Sequence, residues 1–270
     1  MGIIMNQGLS LKPVGKNEWV FSYPKSYDEA HDYFIGGLEE LESGSFKKAV
    51  AKFKQTLKIF PQHIDALHHL SILADNDSEA KKLNNNALEI GQSVFPIKFD
   101  MQHDKLEWEW LENRPFLRAY EFKALFLLET DQDEALKCFL QMLKWNPNDN
   151  QGVREIVADI YVKDERWNDM LSLAEKYHSD VTPSIGYGEA LSYFKKGNME
   201  KATKKLKSCI KYTPLCARIL LKERPKKPKS TMPGYITSGG PDQAYEFWKT
   251  QGQAKAWQDE KVKQWLKENI

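Results

Sequence analysis

The residues that could do chemistry in this chain are a histidine cluster, three cysteines, a set of arginines and a long run of lysines. His63, His68 and His69 are spaced by five and one, which does not put two imidazoles on one helical face, and no HExxH pattern occurs. No metal site is expected from them. Cys138, Cys209 and Cys216 form an odd, sparse set without a CxxC. They read as small buried side chains in a reducing compartment, not as a disulfide or zinc framework. Tyr235 to Gly240, YITSGG, is too short for a phosphate loop and lacks its lysine. No acid–base pair or Ser-His-Asp pattern is assembled in the sequence, so no catalytic residue and no cofactor is expected. The expectation is a protein that is not an enzyme.

Two cationic sets remain. Arg114, Arg118 and Arg154 could grip a carboxylate or phosphate on a partner; the competing reading pairs them internally with Glu107, Glu109, Glu112 or Glu121. Lys201, Lys204, Lys205 and Lys211 fall on one side of a helical pattern, opposite Ala202, Leu206, Cys209 and Ile210. Lys226 and Lys227 add a loop cluster. From Lys195 to Ser230 there are 13 Lys or Arg against two acids, net +11, so the rest of a chain of net charge +1 carries −10. Such a face suits a nucleic acid or an anionic surface. No stacking aromatics interleave with it, however, and the blander reading is a solvated face. An acidic protein surface, such as the 100–112 stretch of another copy, is a further reading, and with it a homo-oligomer.

These residues need elements to position them, and the elements repeat. Ala49, Phe53 and Pro61 recur 86 residues on as Ala135, Phe139 and Pro147, and 67 further on as Ala202, Leu206 and Pro214. Sixty-seven is one short of two 34-residue periods, the repeat of helix-turn-helix solenoids. The first hairpin is expected over 26–61, with a Ser26–Glu29 capping box, a break at Gly44 and a stop at Pro61. Gly37 and Ala49 are small because closely crossing helices leave no room at the contact. The second, 62–91, is irregular, with Ala80 and Ala87 as its small residues. An insertion follows over about 92–112, ending in the acidic, aromatic stretch with Trp108 and Trp110. Hairpins at 113–147, 148–180 and 183–214 complete the array, the fourth opening on Asn148, Asp149 and Asn150 as cap candidates.

Residues 1–25 read as an arm or small β-hairpin. Residues 215–270 read as capping helices, near 215–223, 241–250 and 253–268, around a basic, Pro-rich loop at 223–240. No apolar run is long enough to span a membrane, and the N-terminus lacks signal-peptide character. Gly2 has the wrong residue, Asn6, four positions on for myristoylation. A cytoplasmic protein is expected.

With Ala49, Ala135 and Ala202 in register, the chain resembles the tetratricopeptide-repeat superfamily over about 26–214. Leu106-Glu107-Trp108, the run from Asn113 to Ala119 and the run from Asn146 to Arg154 are similar to a bacterial group of repeat proteins. The tail, with Gly239-Gly240, Gln243-Ala244-Tyr245, Trp257 and Trp265, is similar to that group and to the suppression-of-tumorigenicity family. The resemblance implies an all-α, right-handed solenoid of about five helical hairpins with a C-terminal helical cap, acting as a scaffold for protein partners. In the chaperone-binding subtype, Lys and Asn line the inner helices. Here those positions hold Phe34, Leu38, His69, Leu117 and Glu121, so chaperone tails are not the implied ligand.

Inner helices of stacked hairpins line a concave groove suited to a peptide or helix. The residues expected there are Phe34, Leu38, Arg118, Tyr120, Arg154, Tyr161, Tyr187 and Phe194, with Ala124, Leu127, Ala158 and Leu191 between them. The competing reading packs several of them against the chain's own tail or insertion.

Overall fold

The computed structural model describes residues 8–229 and 235–270. Gly2, the start of the expected arm and residues 230–234 of the basic loop lie outside the described residues. The chain divides into two compact units, one ending at Gln151 and one beginning at Gly152.

The first unit opens with an antiparallel β-hairpin, β1 (Ser10–Gly15) and β2 (Glu18–Ser22), paired from Ser10 with Ser22 to Gly15 with Glu18. Asn17, at φ 59°, supplies the left-handed turn residue. Three helical hairpins follow: α1 (Ser26–Glu42) with α2 (Phe46–Ile59), α3 (Ile64–Ile72) with α4 (Asp77–Ser93), and α5 (Arg114–Thr130) with α6 (Gln132–Trp145). Gly44, at φ 77°, ends α1 as expected of a left-handed stop. The Ser26–Glu29 capping box does not form. Ser26 is already helical, and the first turn is closed by bonds from Tyr27 N to Pro24 O and from Asp28 N to Lys25 O. His63, Asn76 and Asp131 do cap α3, α4 and α6, accepting from the amides of Ala66, Glu79 and Glu134.

The small-residue logic holds at the crossings of the first unit. Gly37 faces the Phe53 ring, and Phe34, Ala49, Phe53, Ala66 and Leu70 form one buried cluster. Ala135 and Phe139 are likewise fully buried. At the irregular second hairpin, Ala87 is buried and Gly91 makes the closest approach, against Phe116 of α5.

The insertion packs on the β-hairpin. Trp19 meets Phe99 edge-on at 5.7 Å, Phe21 meets Phe95 and Phe116, and Lys105 exchanges backbone bonds with Asn17 and Trp19. Asn113, fully buried, accepts from Phe21 N at 3.1 Å and donates to Trp19 O and Glu107 O. One side chain thereby ties the hairpin, the insertion and the start of α5 together.

The second unit contains α7 (Val153–Lys163) with α8 (Trp167–Lys176), and α9 (Pro183–Lys195) with α10 (Met199–Tyr212). Then come α11 (Pro214–Leu220), α12 (Pro241–Lys249), α13 (Gln251–Ala256) and α14 (Glu260–Lys267). The N-cap position of α7 falls on Gly152, beyond Asn148, Asp149 and Asn150. Gly152 stands at its N-terminus in the left-handed region, and Asp149 is a buried residue at φ 49°. The last helix expected over 253–268 is two helices, because Asp259 accepts from the amides of Lys261 and Val262 and starts α14 afresh. The described helices and the small hairpin make the protein all-α apart from β1 and β2. None of the helices is long and apolar enough to cross a membrane.

Candidate partner-binding face

In the second unit the inner face is occupied by the chain itself. Helix α13 lies on α7 and α9. Asp159 of α7 accepts from Gly252 N at 3.2 Å and Gln253 N at 2.9 Å, satisfying amides at the start of α13. Gln253 is fully buried, donates to Ser184 O of α9 and accepts from the Trp257 indole. Tyr187, also fully buried, packs against Phe247 at 5.4 Å and Trp257 at 5.7 Å, and its hydroxyl donates to Thr213 O. Burial lifts that phenol well above its usual range. Phe194, half-buried, stacks on Trp265 at 4.6 Å. The expected groove residues Tyr187 and Phe194 therefore face the chain's own tail. Tyr161 is buried under the Arg166 guanidinium at 4.7 Å. Arg154 pairs with Asp180 and lies 5.5 Å over the Tyr177 ring. The guanidinium helps hold the Asp180 carboxyl below its usual range, against the opposing effect of burial.

In the first unit Phe34 and Tyr120 are interior. Phe34 sits in the α1–α2–α3 cluster, and Tyr120 packs on Trp145 at 4.8 Å. Arg118 reaches back to Asp65 of α3 through both Nε and Nη2, with Nε at 3.1 Å. Asp65 is buried. It was not among the four glutamates expected as partners, because it lies 53 positions away in sequence and its hairpin precedes the insertion. Arg114 donates to Trp108 O at 2.9 Å, and both guanidiniums lie over the Trp108 ring, at 5.2 and 5.8 Å.

The open part of this unit is two turns further along the same helices. Helices α3 and α5 each run antiparallel to α4, hence parallel to each other, and the Arg118–Asp65 pair fixes their register. Seven residues on, close to the same helical face, stand Leu125 of α5 and Ile72 of α3, 41% and 53% exposed. On α1, whose Phe34 meets His69 of α3 and whose His31 stacks on the capping His63, the residues at the same seven-residue offset are His31 and Leu38. By the helix repeat, Ile72 and Leu125 follow Asp65 and Arg118 on neighbouring helices as one apolar row, and Leu38, half-buried against the α1–α2–α3 cluster, follows His31. Glu42, Glu121 and Glu129 stand one turn from Leu38 and Leu125 in sequence, and Asp75 follows the end of α3. Glu121 accepts from Gln151 Nε2 at 2.5 Å, while burial holds its carboxyl above the usual range. The signal for this row was present in the sequence as a seven-residue offset, but pairing the three helices required knowing which one the insertion displaced.

The histidines are structural. His63 Nδ1 caps α3, its ring stacks on Tyr27 at 4.7 Å, and its Nε2 lies 3.5 Å from His31 Nδ1. Burial pushes both His63 and His68 down to about 4. Among the described residues, no group of three or more His, Cys, Asp or Glu is placed to hold a metal ion. The three cysteines are buried thiols, and burial pushes Cys209 and Cys216 up to about 12.

On the basic side, Lys201, Lys204 and Lys211 of α10 are exposed, as are Lys226 and Lys227. Lys205 is drawn to Glu189 of α9 at 2.6 Å. Lys201 also lies 5.5 Å over the Tyr193 ring.

A family model described as Tcf25, transcriptional repressor TCF25, matches residues 19–270. No curated protein matches the chain in sequence. Among solved structures, one similar fold is YrrB, described as a TPR protein with an unusual peptide-binding site, at 16% identity and TM-score 0.44. It covers 70% of this chain and 93% of its own. Another is MamA, at 16% identity and TM-score 0.42, covering 73% of this chain and 99% of its own.

Proposed function

The chain belongs to the Tcf25 family, and we propose that it is a non-enzymatic scaffold whose first unit docks a segment of a partner protein along α1, α3 and α5. The observation that carries this reading is the contrast between the two units. The inner helices of the second are covered by α12–α14, whereas those of the first leave Ile72 and Leu125 exposed in one row beside Leu38. Exposed apolar side chains in register on adjacent helices are the anchors that helix-in-groove recognition uses. The flanking Glu42, Asp75, Glu121 and Glu129 favour a segment that carries Lys or Arg around its apolar residues. The first unit supports this with 23 acidic against 17 basic residues, net −6. The family's description makes proteins of the transcription apparatus the first class of partner to look for.

The test is affinity capture with three proteins: wild type, Ile72→Asp/Leu125→Asp, and Arg218→Glu/Arg224→Glu as a control on the other unit. A partner bound by wild type and control but lost from the Ile72/Leu125 variant is the expected result. Identical partner sets for all three proteins would overturn the assignment.

The alternative reading, a nucleic-acid-associated protein using Lys195–Lys229, draws on the exposed Lys201, Lys204, Lys211, Lys226 and Lys227. It requires binding that weakens steeply with salt, since each neutralised phosphate releases counterions.

A further inference from the structure

The basic segment holds more than exposed charge. Helix α11, residues 222–228 and the start of α12 enclose a groove of about 540 Å³ within the second unit. Leu215, Ile219 and Ala244 supply an apolar floor, and Arg218, Lys222, Arg224 and Lys226 stand around it. Among the described residues, no acid lines the groove and none of these four cations makes an ion pair. Pro225 and Pro228 fix their own φ angles within the segment that carries Arg224 and Lys226. Four like charges gathered around an apolar floor repel one another until something anionic and partly apolar fills the space.

A segment of that chemistry exists on this same chain. Glu109, Trp110, Leu111 and Glu112 are consecutive and all exposed, Trp110 at 41% and Leu111 at 64%. Two bulky apolar side chains stand between two carboxylates. The turn that presents them is held rigid. Trp110 N donates to Glu107 O, Asn113 N donates to Trp110 O, the Tyr23 hydroxyl donates to Glu112 O, and buried Asn113 anchors the far side. Little ordering entropy would be lost when such a turn docks.

We propose that the groove is a socket for the Glu109–Glu112 turn of a second copy, so that copies associate head to tail. Trp110 and Leu111 cover the floor made by Leu215, Ile219 and Ala244, while Glu109 and Glu112 neutralise the surrounding cations. Charge is divided to match: the unit carrying the turn has net charge −6, and the unit carrying the socket, with 22 basic and 15 acidic residues, has +7. Because turn and socket are different surfaces, each association leaves one of each unused. Growth proceeds beyond a dimer unless a ring closes. A nucleic acid would use the cations but not the apolar floor, and among the described residues no aromatic side chain lines the groove for a base to stack on. This association is independent of the partner face on α1, α3 and α5.

The test is sedimentation velocity on the full chain across a wide range of concentration, at low and high salt. Two variants with exposed substitution sites accompany it: Trp110→Ser/Leu111→Ser for the turn and Arg218→Glu/Arg224→Glu for the socket. Wild type is expected to form oligomers larger than dimers that shrink at high salt. Each variant alone should associate at least about tenfold more weakly. An equimolar mixture of the two variants should form a heterodimer that stops at two, because one copy keeps only its socket and the other only its turn. A monomeric wild type at every concentration would overturn the proposal, as would association that ignores both variants. Arg218- and Arg224-dependent binding of a DNA oligonucleotide by a chain that stays monomeric would overturn it in favour of nucleic acid.

Discussion

At the scale of single residues, the polar groups that looked free for chemistry are committed to holding helices in place. Arg118 fixes α3 against α5 through Asp65, and Arg154 fixes Asp180 within the second unit. His63 and His68 are buried as neutral rings, and this has a measurable consequence. Desolvation lowers both from 6.5 to about 4. Asp65 acts against the shift at each ring, while His31 adds to it at His63, and His69 and Arg118 add to it at His68. Between those values the unfolded chain binds protons that the folded one refuses, so stability rises with pH. The contribution is complete above about pH 6.5 and is lost as the pH falls toward 4, at up to about 3 kcal/mol per histidine. His63→Asn keeps a capping side chain on α3, and His68→Leu keeps an apolar filler. Urea midpoints of the double variant are expected to fall less between pH 7.5 and 5 than those of wild type. Parallel profiles would show that other groups control acid sensitivity.

At the scale of elements, the crossings decide stability. A Cβ on Gly91 would come within 2.3 Å of the Phe116 ring, which is itself fully buried and cannot retreat. Gly91→Ala is therefore expected to cost about 1–3 kcal/mol through overpacking. Gly36→Ala, on α1, would meet only the flexible end of Lys52 at 3.7 Å. There the gain in helix propensity should stabilise by up to about 1 kcal/mol. Thermal unfolding of the two variants in opposite directions is the check, and equal shifts would refute the crossing argument. The same contrast explains why the hairpins were readable from Ala49, Ala135 and Ala202 but the role of Gly91 was not. Sequence can flag a small residue; only a neighbour's position shows that the size is obligatory.

At the scale of the whole molecule, the C-terminal helices complete the second unit instead of merely closing its end. Trp257 is fully buried against Tyr187 and Trp265. Trp257→Ala should cost about 3–5 kcal/mol, as for other large aromatic truncations in cores. Hydrogen exchange should speed up across α7, α9 and α12–α14, with little change in α1, α3 and α5. Uniform acceleration of both units would contradict a division at Gln151. The chain also divides by charge, −6 before that boundary and +7 after it, so the proposed association between copies should weaken as ionic strength rises.

The sequence by itself determined the helical hairpins, their small crossing residues and the uneven charge, because period, residue volume and charge are properties of local composition. It also showed that the tail should cover something. Only the tertiary structure decided what the tail covers, and it filled the face where Tyr187 and Phe194 had stood as partner-binding candidates. It likewise chose Asp65 for Arg118 over four nearer glutamates, across an insertion that broke the repeat. The physical reason is the same in each case. Helix propensity and burial pattern are set within a few turns of chain, whereas the identity of a side chain's neighbour depends on which distant helix is packed beside it.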